Sequence, residues 1–297
     1  MTNTSRSANS GPVVSVVVPN LNKGDFIGAA MASLLAQTLT DFEVIVVDNG
    51  SEDSSLAVVE DYMRKDPRVS LVKEPHRGTA SALNAGMTRA RGEYLTVLGS
   101  DDVCHPERLS RQVLALREGK ASVCYTESWV IDENGRETGQ LWNRDKALLP
   151  PNHEGFIFHE LLRRNFTLGG TVMTTMEASK QVPFDESLGY GEDWDFSVRL
   201  ARRFKFAYIS DPLYGYRVYS RNSWAKGGER RVLSNHIKIF EGWLDDFPDL
   251  SRDERTYLTK RLLHCVVLYK GRRSALRVAL SRPHDSMYAM RRSKPQP

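Results

Sequence analysis

Within the first hundred residues, short β-branched runs alternate with longer segments of helical spacing, and this alternation leaves few folds open. Val13–Val18, Phe42–Val47, Val69–Val72 and Tyr94–Leu98 read as strands. Between them, the stretch after Asp25, Ser54–Lys65 and Ser81–Arg89 place apolar residues three and four apart, the spacing of a helix with one buried face. A strand, a crossover helix and a second strand give parallel pairing, so the expected class is α/β with a doubly wound, mostly parallel sheet. The second run is nearly all apolar, as a strand covered on both faces must be.

The middle of the chain is less regular. A helix is expected from Pro106 to about Arg117, then Ala121–Ile131, a turn at Asp132–Gly135 and a return segment near Gln140. Thr171–Thr175 reads as a strand, Asp193–Arg203 as a helix, and Phe206–Ile209 as a strand that stops before Pro212. Beyond Glu229 only helical patterns remain. The expected organisation is a disordered tail over 1–10, a catalytic domain over 11–222 and a basic helical extension over 223–297.

Three widely separated cysteines, Cys104, Cys124 and Cys265, suggest neither a disulfide framework nor a paired-thiol zinc site, and a cytoplasmic setting is expected. The polar start MTNTSRSANSGP reads as a tail and not a signal peptide. Charge is uneven: residues 255–297 hold eleven Lys or Arg against the single acid Asp285, on a chain whose net charge is only +4. That tail suggests attraction to an anionic surface, a membrane face before nucleic acid, since Trp243, Tyr257 and Tyr269 read as helix packing.

In open α/β sheets ligands bind beyond the carboxyl ends of the strands. Here the first strand runs into Pro19-Asn20-Leu21-Asn22, the second into Asp48-Asn49-Gly50-Ser51 and the fourth into Gly99-Ser100-Asp101-Asp102. Asp48 and Ser51 alone could be turn formers. The adjacent carboxylates Asp101 and Asp102 repel one another unless a cation or donors share the site, and hard oxygen ligands suit Mg²⁺ or Mn²⁺ completed by water and phosphate. A second acidic group, Glu192-Asp193-Trp194-Asp195, opens a helix and could supply a general base or simply favour the helix N-terminus.

The segments SVVVPNLNKGDFI, FEVIVVDNGSEDSS, LNAGMTRARGEYLTVLGSDD, YGEDWDFSVRL and YGYRVYSRNS, in this order, resemble the inverting family 2 glycosyltransferases of GT-A fold. The resemblance implies transfer of a sugar from a nucleoside-diphosphate donor, a UDP-sugar foremost, to a glycan or lipid-linked acceptor. By this likeness Pro19, Asn20, Asn22 and Asp48 would cradle the nucleoside, with Asn84 and Arg77 near the base and diphosphate. Asp101 would reach the ribose, Asp102 would hold Mn²⁺ or Mg²⁺, and Arg217 would meet the phosphates. Asp193 would be the catalytic base, with Glu192 and Trp194 lining the acceptor side. Two positions depart from the family pattern: Ser100 stands first in the DxD-type triplet, and Tyr219 stands where a His is frequent. The rival readings are a nucleotidyltransferase of related fold, which lacks its Gly-rich basic loop here, and an inactive sugar-nucleotide-binding scaffold.

Overall fold

The computed structural model describes residues 11–76, 78–142, 153–220 and 223–282. The expected tail at 1–10 lies outside them, as do Arg77 and the end of the basic segment. The described residues form two compact units, one holding those up to Glu186 together with Phe196–Tyr219, the other holding Ser187–Asp195 and those from Ser220 onward. The segment 187–195 therefore groups with the C-terminal helices, although the sequence reading places it inside the catalytic domain.

The first unit is built on one sheet. Strands β1 (Val14–Asn20), β2 (Phe42–Asp48), β3 (Val69–Lys73) and β4 (Tyr94–Val97) pair in parallel in the order β3-β2-β1-β4. Helices α1 (Ile27–Leu35), α2 (Ser55–Lys65) and α3 (Thr79–Arg89) connect them. Side chains alternate across a strand, and the two faces of β1 show it. Val14, Val16 and Val18 join Ile27, Met31 and Leu34 of α1 and Val59 of α2 in one core cluster. On the opposite face Val17 meets α3 at Gly86, where an added Cβ would lie 2.4 Å from a Val17 methyl carbon. The polar residues inside these strands are paired: Ser15 Oγ donates to Glu43 Oε1 at 2.7 Å, and the Arg91 guanidinium closes on the same carboxylate.

The sheet continues through β8 (Met173–Thr175), β6 (Val123–Ile131), β9 (Phe206–Arg217) and β5 (Val103–Cys104), with β7 (Glu137–Leu141) forming a hairpin on β6. Helices α4 (Arg108–Gly119), α5 (Phe158–Arg163) and α6 (Met176–Gln181) complete this part, and α4 adds Leu109, Val113 and Leu116 to the main core. Contrary to the sequence reading, β9 does not stop before Pro212. Its pairing shifts at Thr126/Glu127, so that Thr126 faces Ile209 and Glu127 faces Pro212. A bulge of this kind tolerates a residue with no N–H, and the strand resumes to Arg217. This continuation carries Tyr214 and Arg217 into the site.

The second unit contains the start of α7 (Glu192–Ala201), a helical stretch α8 (Ser223–Asp246) interrupted at Gly228, and helices α9 (Arg252–Lys270) and α10 (Arg272–Ser281). Ser251 opens α9 with a capping box: its hydroxyl accepts from Glu254 N while Glu254 returns a bond to the Ser251 N–H. Helices α8 and α9 pack on one another, and Ile237, Phe240 and Trp243 of the first and Leu258, Leu262 and Val266 of the second are buried. No described helix is long and apolar enough to cross a membrane.

Candidate active site

Two polar clusters occupy the carboxyl ends of the strands in the first unit. At the ends of β1 and β2, buried Asn20 donates through Nδ2 to Asp48 Oδ1 at 2.8 Å and to the Ser51 and Ser55 hydroxyls at 3.1 Å. Asp48 is 2% exposed and also accepts from the Gly50 and Ser51 N–H groups at 3.0 and 2.9 Å and from Ser51 Oγ at 2.5 Å. Its carboxylate therefore shapes the turn after β2, the role sequence allowed as the plain alternative. Asn22 adopts a left-handed backbone with φ 53°, accepts from Glu52 N at 2.8 Å, and ties the first loop to this turn. Asn20 Oδ1 is buried and has no protein partner, so the cluster keeps one acceptor open.

The second cluster follows β4. Asp102 is buried, with Oδ1 accepting from Arg217 N at 2.8 Å and Oδ2 from the Tyr214 hydroxyl at 2.5 Å. Burial, and then the charge of Asp101, push its carboxyl up to about 8. Asp101 is answered differently: Lys23 of the first loop pairs with Oδ2, and Tyr219 donates to the same oxygen at 2.7 Å. Lys23 also reaches the Tyr219 hydroxyl, and the Tyr219 ring packs on Phe26 at 4.7 Å between centroids. Tyr214 lies under the fully buried guanidinium of Arg108, 5.1 Å from its ring centroid. Lys23, Tyr214 and Arg108 were missed by sequence reasoning; only their presence within two of the five ordered segments marked the first two. Tyr219 was noticed solely as a departure.

Two further residues expected at the donor, Arg217 and Asn84, make hydrogen bonds within the protein. Arg217 is 4% exposed and donates Nε to the Asp101 carbonyl at 2.6 Å and Nη1 to the carbonyls of Asp132 and Glu133 at 3.1 and 3.0 Å. It clamps the Asp101–Asp102 turn to the β6–β7 turn. Asn84 uses its whole carboxamide on the chain, donating to Phe184 O and Glu186 Oε1 and accepting from Phe184 N. Arg77 lies outside the described residues. Pro19 is half-buried at the end of β1.

Within the second unit, the acidic motif opens α7. Asp193 Oδ1 accepts from Trp194 N at 2.7 Å, and Asp195 Oδ1 accepts from Trp243 Nε1 at 2.8 Å. Glu192 is half-buried; burial first, then the neighbouring Asp193 charge, push its carboxyl up to about 7. The approach to the motif is fastened to α8: Asn235 accepts from Gly189 N at 2.8 Å, Arg231 donates to Gly189 O, and Lys238 donates to Ser187 O at 2.8 Å. Gly191 turns with φ 78°, and a Cβ there would lie 3.1 Å from Ile239 Cδ1. Trp194, expected on the acceptor side, follows Asp193 on this helix. Its ring is 6% exposed and packs edge-on against His236, Phe240 and Trp243, so it is a core residue of the second unit, drawn in by aromatic burial.

His236, half-buried among Tyr190, Trp194 and Phe240, is pushed down to about 4 by burial and by the Arg261 charge. Its folded value lies below the ordinary 6.5, so the stability it lends is present above that pH and is lost as pH falls toward 4. The expected result is a loss of near-ultraviolet circular dichroism from the tryptophan cluster over that window. The substitution His236→Phe should flatten this acid transition; an unchanged acid profile would show that His236 does not set it.

Residues 15–180, more than half of the chain and including the strand-end carboxylates Asp48, Asp101 and Asp102, match the glycosyl transferase family 2 model. The chain belongs to this family. It is a glycosyltransferase of α/β architecture, and its similarities are to proteins of that class. It is 28% identical over 242 residues to an uncharacterized glycosyltransferase of Methanocaldococcus jannaschii, covering 78% of this chain and 80% of the relative. Against the chondroitin synthase of Escherichia coli it is 28% identical over 77% of its length but spans only 32% of that relative. Among solved structures, S. aureus TarS in complex with UDP-GlcNAc superposes with a TM-score of 0.66 at 21% identity, over 93% of this chain and 79% of that one. The mannosyltransferase PcManGT from Pyrobaculum calidifontis, in complex with GDP-Man and Mn²⁺, gives 0.63 at 19% identity, over 97% and 81%. Both structural likenesses establish the GT-A fold.

Proposed function

We propose that this glycosyltransferase moves a sugar from a nucleoside-diphosphate donor, a UDP-sugar, to a hydroxyl of a glycan or lipid-linked acceptor by single displacement with inversion. The observation that carries the reading is the adjacent pair Asp101 and Asp102 at the end of β4, held by groups from distant segments, Lys23, Tyr214, Arg217 and Tyr219. Such a pair fits a hard divalent cation, Mn²⁺ or Mg²⁺. Among the described residues no group of three or more His, Cys, Asp or Glu could hold a metal ion, so a cation here would need further ligands from phosphate and water. Asp102 would be the ligand, each of its oxygens keeping a lone pair beyond its single hydrogen bond. When bound, the cation would supply Lewis-acid stabilisation of the departing diphosphate.

The chain's own residues do the rest. Asn20, Asn22 and Asp48 build the nucleoside loop beside Pro19, with Asn84 and Arg77 as expected neighbours of the donor, and Arg217 holds the Asp101–Asp102 turn in place. Asp193 takes the acceptor hydroxyl proton as that oxygen bonds to the anomeric carbon; the bond from that carbon to the phosphate oxygen breaks, and the electron pair leaves with the nucleoside diphosphate. Glu192 stands beside it on the acceptor side. The solved complexes of TarS with UDP-GlcNAc and of PcManGT with GDP-Man and Mn²⁺ support a nucleotide-sugar and metal reading, and the likeness to the chondroitin synthase supports a polysaccharide product.

The test is release of nucleoside diphosphate from a panel of nucleotide sugars with Mn²⁺, with Mg²⁺ and with chelator. Release from one UDP-sugar that chelator abolishes is expected. Release from a guanosine donor alone would replace the uridine reading, and neither release nor binding with any donor would overturn the catalytic one.

A further inference from the structure

The last described helix of the second unit, α10, presents an exposed face that carries none of the residues assigned above to sugar transfer. On α10, Ala275 and Ala279 are buried, while Leu276 and Leu280, one turn apart, are 59% and 71% exposed. At 100° per residue Arg272 flanks this leucine stripe on one side and Arg273 and Arg277 on the other. None of these three arginines pairs with a carboxylate among the described residues, whereas Arg282 does, with Asp245 at 2.5 Å. Val267 and Leu268, at the end of α9, are exposed as well.

We propose that α10 is an interfacial helix that seats the protein on an anionic lipid bilayer, its two leucines entering the headgroup boundary and its arginines meeting lipid phosphates. An expectation from composition rests on charge alone. The helix adds an apolar stripe bordered by long cationic side chains whose stems can lie along lipid while their charges stay at the headgroups. Charge complementarity selects this occupant. A second copy docking through the same patch would bring Arg272, Arg273 and Arg277 against their own duplicates, since a two-fold contact matches a surface with itself. Nucleic acid would leave the leucines without a partner, for the stripe carries no aromatic platform.

Cosedimentation of the full chain with vesicles of phosphatidylcholine, with and without phosphatidylglycerol, tests the proposal. Binding is expected only with phosphatidylglycerol and should fall as salt rises. The double variant Leu276→Ser, Leu280→Ser should lower partitioning about tenfold or more, and Arg272→Glu, Arg273→Glu, Arg277→Glu together should abolish it. Both sets alter exposed positions, and circular dichroism confirms that they fold. Equal binding to neutral vesicles, no binding to anionic ones, or variants that bind as the parent does would each overturn it. So would a dimer in sedimentation velocity that the serine variant dissociates without any vesicle binding. No donor or acceptor enters the assay, so its outcome is independent of the transfer reaction proposed above.

Discussion

Asp193→Asn is expected to lower sugar transfer by about a hundredfold to ten-thousandfold, the range of a positioned general base, while donor binding stays close to that of the parent. The amide keeps the size of the side chain and an oxygen for the Trp194 N–H, so the start of α7 is preserved and only proton acceptance is removed. Single-turnover transfer measured beside nucleotide titration separates the two effects. A variant with full transfer would remove Asp193 from the mechanism, and loss in Glu192→Gln instead would move the base one residue back. The second assignment is open to this test because burial and the neighbouring Asp193 charge lift the Glu192 carboxyl to about 7.

Asp102→Asn has the other large expected effect. It retains an oxygen for one of the two bonds that the Tyr214 hydroxyl and Arg217 N make, but it removes the charge that would hold a divalent cation. Transfer should fall by about a thousandfold, consistent with several kcal/mol of Lewis-acid stabilisation. Binding of the nucleoside diphosphate should become insensitive to Mn²⁺. Calorimetric titration with and without the ion is the direct measurement; a variant that still gains affinity on adding Mn²⁺ would place the metal elsewhere.

The contrast with what sequence revealed follows the range of the interactions involved. β1 and β2 were legible because each is a run of side chains buried on both faces, so local composition and structure agree. β5, two residues long, exists only through its pairing with β9, and β9 crosses Pro212 only because a bulge in its register with β6 accepts the proline. No local pattern announces either. In the site, Asp101 and Asp102 were visible as strand-end carboxylates. The groups that answer Asp101, Lys23 and Tyr219, are separated by 196 positions and meet only in the fold. Arg217 was singled out by its residue type for phosphate, yet three backbone carbonyls take its Nε and Nη1 donors. Residue type reports chemical capacity, whereas partners decide its use.

The fastening of residues 187–195 by α8 has a bearing on how such proteins can be recombined. Asn235, Arg231 and Lys238 hold the backbone that leads to Glu192 and Asp193, and Trp243 holds Asp195. A chimera joined at residue 222 would inherit the acidic motif from one parent and its supports from another, with the Asn235 and Trp243 contacts left to chance. An exchange that carries 187–195 and 223–282 together moves a self-consistent module, although 196–219 between them belongs to the other unit. Inheritance in this chain is therefore divided by contact and not by position, and a productive exchange must move two separate segments at once.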